Sequence, residues 1–142
     1  MAHERPPTLD ATAAECWAQR LPGAGTDLAS PWLHEEVARR MEERLKWVKL
    51  QPHSWAHWAP LRGGLAAHGL LGRRYPQAQA LVVEPAATHL RMARDRLKTP
   101  WWQPSNWRAP STRFASALEP ASVQMLWANM ALHMAADPQA LL

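Results

Sequence analysis

Ala80-Leu81-Val82-Val83-Glu84-Pro85 is the stretch that decides the fold. Four apolar residues in a row, two of them β-branched, stop at an acid and a proline. A run of this length without polar alternation reads as a strand buried on both faces. Residues 65–75, stopped by Pro76, read as a helix before it. Residues 86–97 read as a helix after it, with Leu90, Ala93 and Leu97 on one face. Further upstream, Ser54-Trp55-Ala56-His57-Trp58 is a second short apolar run, and Pro60-Leu61-Arg62-Gly63-Gly64 reads as a turn. Downstream, residues 112–115 and Val123-Gln124-Met125-Leu126-Trp127-Ala128 read as two more strands, and Asp137-Pro138 opens a last helix. Strands alternating with helices predict an open, doubly wound, mostly parallel α/β sheet.

A long helix precedes the first strand. Ser30 is placed to cap it and Pro31 to occupy its first position. Leu33, Val37, Met41, Leu45 and Val48 then recur at helical spacing and predict one apolar face. Lys46 and Lys49 close the helix, and Pro52 ends it. Residues 1–30 read as a partly flexible extension, with a short helix at 11–20 broken by Pro22-Gly23-Ala24-Gly25. Residues 31–142 read as the N-terminal half of one α/β domain.

Composition narrows the classes. Of 142 residues, 47% are apolar and 20% charged, which suits a packed core rather than disorder. No run approaches the ~20 apolar residues of a membrane-spanning helix. Residues 1–10 lack the apolar segment of a secretory leader. The single cysteine, Cys16, excludes an internal disulfide and reads as a bystander. A cytoplasmic setting without membrane contact is expected. The seven histidines include no His-Glu-x-x-His pair, and His53 and His57 fall on extended chain, so no metal site is expected. Met125, Met130 and Met134 read as core filling.

The net charge is +4, and the excess is uneven. Between residues 91 and 113, Arg91, Arg94, Arg96, Lys98, Arg108 and Arg113 face only Asp95. Such a patch suits either an acidic protein or nucleic acid, or else is an ordinary solvated surface. Trp101, Trp102 and Trp107 lie in a proline-rich stretch at 98–110, where they would stack on bases or plug a groove.

Open parallel sheets bind ligands beyond the carboxyl ends of their strands, where strand order reverses. The residues there are His57 to Gly64, Glu84, Ser116 to Glu119, and Asn129. Gly63 and Gly64 let the backbone approach a ligand closely. Glu84 ends the next strand 20 residues after Gly64, a position suited to accepting hydrogen bonds from ribose hydroxyls. A dinucleotide and S-adenosylmethionine would both use this geometry, and the full G-x-G-x-x-G fingerprint of the former is absent. Arg62 is placed to meet an anion or to lie on the surface.

Three segments carry a family resemblance. They are Trp32-Leu33-His34-Glu35-Glu36-Val37-Ala38-Arg39-Arg40-Met41-Glu42-Glu43-Arg44-Leu45, Arg73-Arg74-Tyr75-Pro76-Gln77-Ala78, and Met125-Leu126-Trp127-Ala128-Asn129-Met130-Ala131-Leu132-His133 with Asp137-Pro138. Residues 31–142 resemble class I S-adenosylmethionine-dependent methyltransferases and are most similar to the malonyl-acyl-carrier-protein O-methyltransferases of biotin synthesis. The resemblance implies a Rossmann-like sheet whose order begins 3-2-1-4, ending here after the fourth of seven strands. That fourth strand is expected to form an edge, covered by further polypeptide or a partner. The resemblance also implies S-adenosylmethionine as cofactor, held by Arg62, Gly63, Gly64, Glu84, Pro85 and Asn129, and an acidic acyl-carrier protein as partner. The family's first loop reads Asp-x-Gly-x-Gly-x-Gly; here His57-Trp58-Ala59-Pro60-Leu61-Arg62-Gly63-Gly64 lacks the acid, and Pro60 removes a donor. Two further readings stand beside methyl transfer: a catalytically inactive relative that binds or assembles, and a nucleic-acid binder using the tryptophan-rich loop.

Overall fold

The computed structural model describes residues 9–20, 31–98 and 110–141. Helices α1 (Ala11–Gln19) and α2 (Trp32–Arg44) precede β1 (Ser54–Trp58). Short helix α3 (Pro60–Gly63) and α4 (Ala66–Arg74) lead to β2 (Gln79–Val83). Then follow α5 (Ala87–Arg96), β3 (Arg113–Ala115), β4 (Met125–Ala128) and α6 (Pro138–Leu141). All strand pairs are parallel, in the order β3-β2-β1-β4. The expected Rossmann-like α/β sheet is therefore present, and β4 is an edge strand among the described residues. No described helix is long and apolar enough to cross a membrane.

Register explains where the core sits. Trp55, Ala80 and Met125 form one lateral row, and His57, Val82, Phe114 and Trp127 form another on the same face. Ala38 of α2 and Ala67 and Leu71 of α4 pack over the first row with Tyr75. Ala93 of α5 and Leu61 of α3 pack over Val82, with Phe114 against them. Right-handed crossovers that progress in one direction put their helices on one side of the sheet, as here. Leu126 belongs to the opposite face and is 46% exposed.

Inside the covered face lies a histidine pair. His57 is fully buried, and its ring stacks parallel to that of His68 at 5.9 Å, with Trp55 beside both. Burial pushes His57 down to about 3 and His68 down to about 4, so both rings are neutral at physiological pH. His68 Nε2 pairs with Thr112 Oγ1 at 3.1 Å, while both nitrogens of His57 lack hydrogen-bond partners among the described residues. His57, expected beyond the strand, is thus a core residue of β1.

Several expectations are corrected. Pro31, not Ser30, is the cap residue of α2; Ser30 lies outside the described residues. The helix ends at Arg44 and tightens into a 3-10 turn over Leu45–Trp47. The expected apolar face holds at Val37, Met41 and Leu45 and fails at Leu33 and Val48, both 47% exposed, while His34, Glu35, Ala38 and Glu42 join the inward side. Polar residues take inward positions because they bond to other elements. Glu42 pairs with Arg74, and Glu35 accepts from the Ala66 N–H at the start of α4. The segment read as a turn after β1 is helix α3, with Pro60 at its first position. Trp101, Trp102, Trp107 and Arg108 lie outside the described residues.

The glycines of this turn are fixed by packing. A Cβ on Gly63 would lie 2.8 Å from the Asn129 carbonyl oxygen, and Gly64 has a φ of +111° with Glu35 against it. Gly72, on the outer face of α4, would meet nothing within 4 Å. Gly63→Ala is expected to destabilise the chain by about 1–3 kcal/mol, because backbone must move to admit it. Gly72→Ala is expected to stabilise it by about 0.5–1 kcal/mol through helix propensity. Urea unfolding of the two variants checks both signs.

Candidate functional site

Strand order reverses between β1 and β4, and a cleft of about 430 Å³ opens there at the carboxyl ends of the strands. That volume falls in the ~300–1,000 Å³ range of small-molecule sites. Trp58 and Ala59 after β1, Glu84 and Pro85 after β2, and Asn129 and Met130 after β4 line it. Helix α1 closes one side through Glu15, Trp17, Ala18 and Gln19. Ala59 and Met130 both have left-handed backbone, with φ of 48° and 54°. Such non-glycine conformations are costly and persist where surrounding structure holds them.

Glu84 is the charged centre of the cleft and only 1% exposed. Its Oε1 accepts a hydrogen bond from the Leu61 N–H at 3.0 Å. Its Oε2 lies 3.9 Å from His89 Nδ1, too far for a hydrogen bond. Burial pushes the carboxyl up to about 7, against the opposing pull of the Leu61 N–H and the Arg62 cation. Burial and then Arg62 push His89 down, while the Arg20 carbonyl acts the other way.

Arg62 lines the cleft, but its guanidinium is already engaged. Its Nη2 donates to the carbonyls of Trp17, Ala18 and Arg20, and the group lies 4.0 Å from the centre of the Trp17 ring. These carbonyls end α1, where a cation is favoured. Arg62 thus ties α1 to the turn after β1.

Asn129 ties together three other segments. Its Nδ2 donates to the Gly63 carbonyl and, at 2.8 Å, to the His34 carbonyl. His34 Nδ1 in turn meets the Arg62 carbonyl. The amide thereby locks the turn after β1 to the start of α2 and the end of β4. Of the six residues expected to hold a cofactor, Arg62, Glu84, Pro85 and Asn129 line the cleft together. Gly63 and Gly64 lie behind it, against Asn129 and Glu35. Glu119 is exposed beyond β3.

Sequence reasoning missed His89, Trp17 and the cleft role of two methionines. His89 is 2% exposed on α5, five positions after Glu84, and helical reach from a strand-end acid is the signal that points to it. Trp17 comes from distant chain and carries no local signal. Met130 and Met134, read as core, line the cleft instead, while Met125 does pack against the core.

The chain is 33% identical over 115 residues to the malonyl-acyl-carrier-protein O-methyltransferase of Gallionella capsiferriformans (strain ES-2). The alignment covers 77% of this chain and 38% of that protein, so the chain spans well under half the length of the curated relative it matches. It is thus a distant relative of a methyltransferase over most of its own length. No family model matches the chain, and no solved structure matches it.

Glu84 makes stability depend on pH. Its carboxyl titrates near 7 in the fold and near 4.5 when free, so the folded chain holds the proton more tightly. The cost of the buried charge is therefore fully present above pH 7 and is relieved as pH falls toward 4.5. Glu84→Gln removes the charge and keeps the acceptor for Leu61. It is expected to stabilise the chain by about 2–3 kcal/mol at pH 8. Thermal unfolding at pH 8 and pH 5 checks it, with the gain shrinking at pH 5.

Proposed function

We propose that the chain binds S-adenosylmethionine in this cleft and serves methyl transfer to the free carboxylate of a malonyl group on an acyl-carrier protein. One observation carries the binding step. Glu84 is a buried carboxylate that lines the cleft from the end of β2, with a single hydrogen bond among the described residues. A carboxylate in that state is under-supplied with donors, and neutral hydroxyls answer it without adding charge. Pro85, Ala86 and Met130 beside it offer apolar contact for a flat base. The fold and the methyltransferase relative support the same reading.

When bound, S-adenosylmethionine supplies a methyl group on a sulfonium centre. A malonyl carboxylate is already ionised at pH 7, so no general base is needed. The work left to the protein is placement, which is worth a large share of the rate in such reactions. In this reading Glu84 holds the ribose, and the Asn129–Gly63 lock keeps the turn after β1 in register with β4. Arg62 keeps α1 over the cleft and shields it from water.

A second reading, a fold that assembles or binds without catalysis, draws support from the turn itself. The position before the turn holds His57, buried and neutral, and Pro60 has no N–H to offer.

Calorimetric titration separates the two. Wild type is expected to bind S-adenosylmethionine and S-adenosylhomocysteine, and Glu84→Ala to weaken both at least tenfold, about 1.4 kcal/mol. A folded sample that binds neither compound favours the inactive module. For the acceptor, Arg91 and Arg94 stand exposed on α5 and present cationic charge to an acidic carrier. Reversing both to Glu is expected to weaken carrier binding about tenfold at low salt. S-adenosylhomocysteine affinity should not change.

A further inference from the structure

We propose that His89 is a second binding residue of the cleft, which together with Glu84 reads the two vicinal hydroxyls of a ribose. The inference rests on the cofactor reading above and adds to it a residue and a selectivity. Glu84 spends Oε1 on the Leu61 N–H, which leaves Oε2 as the free acceptor. Within 4 Å of Oε2, the described Lys, Arg and His nitrogens supply only His89 Nδ1, at 3.9 Å. That separation is too long for a direct bond and wide enough for one oxygen at about 2.8 Å from each atom. A sugar hydroxyl placed there donates to Glu84 and meets His89 with its remaining capacity.

The other ring nitrogen strengthens the case. His89 Nε2 is buried and makes no hydrogen bond among the described residues, although the Arg20 carbonyl acts on the ring and His89 lines the cleft. Buried polar groups in folded proteins are paired as a rule, so an orphan beside an open cleft points to a ligand group. Burial and the Arg62 cation favour the neutral ring and outweigh the opposing Arg20 carbonyl. A neutral imidazole offers one donor and one acceptor, the complement of a hydroxyl. Glu84 by itself, ionised, offers acceptors only. The pair therefore adds to the carboxylate a donor that it lacks, so that one hydroxyl can donate to Glu84 and accept from His89 while its neighbour meets the second ring nitrogen.

The test uses the full chain and three probes: S-adenosylhomocysteine and its 2′-deoxy and 3′-deoxy forms. Wild type is expected to bind the ribose form at least tenfold more tightly than either deoxy form. His89→Met, which keeps the volume, is expected to lose discrimination against one deoxy form and keep it against the other. His89→Gln, which restores a donor and an acceptor, should recover part of it. If His89→Met, shown folded by thermal unfolding, discriminates as wild type does, the inference is overturned and the gap holds only a structural water. If wild type is folded and binds none of the three probes, the cofactor reading itself fails and the inference falls with it.

Discussion

The Asn129 amide is the interaction on which the rest of the cleft depends. One nitrogen donates to the carbonyls of Gly63 and His34, joining segments 66 and 95 residues apart in sequence. Each such buried bond contributes about 1 kcal/mol net, yet an orphaned partner costs more than a made bond contributes. Three carbonyl-bearing segments thus move together or not at all. The approach is so close that residue 63 has no room for a side chain, because the Asn129 carbonyl occupies the space of a Cβ. The end of β4, the turn after β1 and the start of α2 are in effect one rigid unit.

That rigidity sets the electrostatics of the cleft. With the turn fixed, the Leu61 N–H is held against Glu84, and Arg62 projects toward α1 rather than toward the carboxylate. The cation that would best neutralise Glu84 is therefore spent on three carbonyls and an indole. Glu84 stays buried with one donor and a raised pKa, which is poor for stability and good for a ligand rich in hydroxyls. A site that is strained when empty and satisfied when filled is the usual compromise between stability and binding.

Some of this was legible in the sequence, and the reasons are local. The run Ala80–Val83 could only be a buried strand, so β2 and the acid that ends it were readable. Gly63 and Gly64 were readable as a turn, but not as glycines imposed by Asn129 and Glu35, since those neighbours come from other elements. The inward stripe of α2 was only partly legible from apolar spacing because His34, Glu35 and Glu42 share it. His89 was invisible as a lone histidine on an amphipathic helix; only the placement of α5 beside β2 brings it to Glu84. The part of α1 in the cleft depends on Arg62, more than 40 residues downstream, reaching back to its carbonyls.

The altered loop after β1 bears on where binding energy resides. Ala59 adopts the left-handed backbone that glycine takes without cost, so the surrounding structure holds the turn in a conformation that its own side chain disfavours. What the turn lacks, set against the loop of the family that the sequence resembles, is an acid before it and an N–H at Pro60. Among the described residues, the polar atoms that remain free around the cleft include Glu84 Oε2 and His89 Nε2 on the β2–α5 side and Asn129 Oδ1 at the end of β4. In the proposed reading, binding would therefore draw on Glu84 and His89 at the sugar side and on the Asn129 amide oxygen at the β4 side, with little from the turn itself.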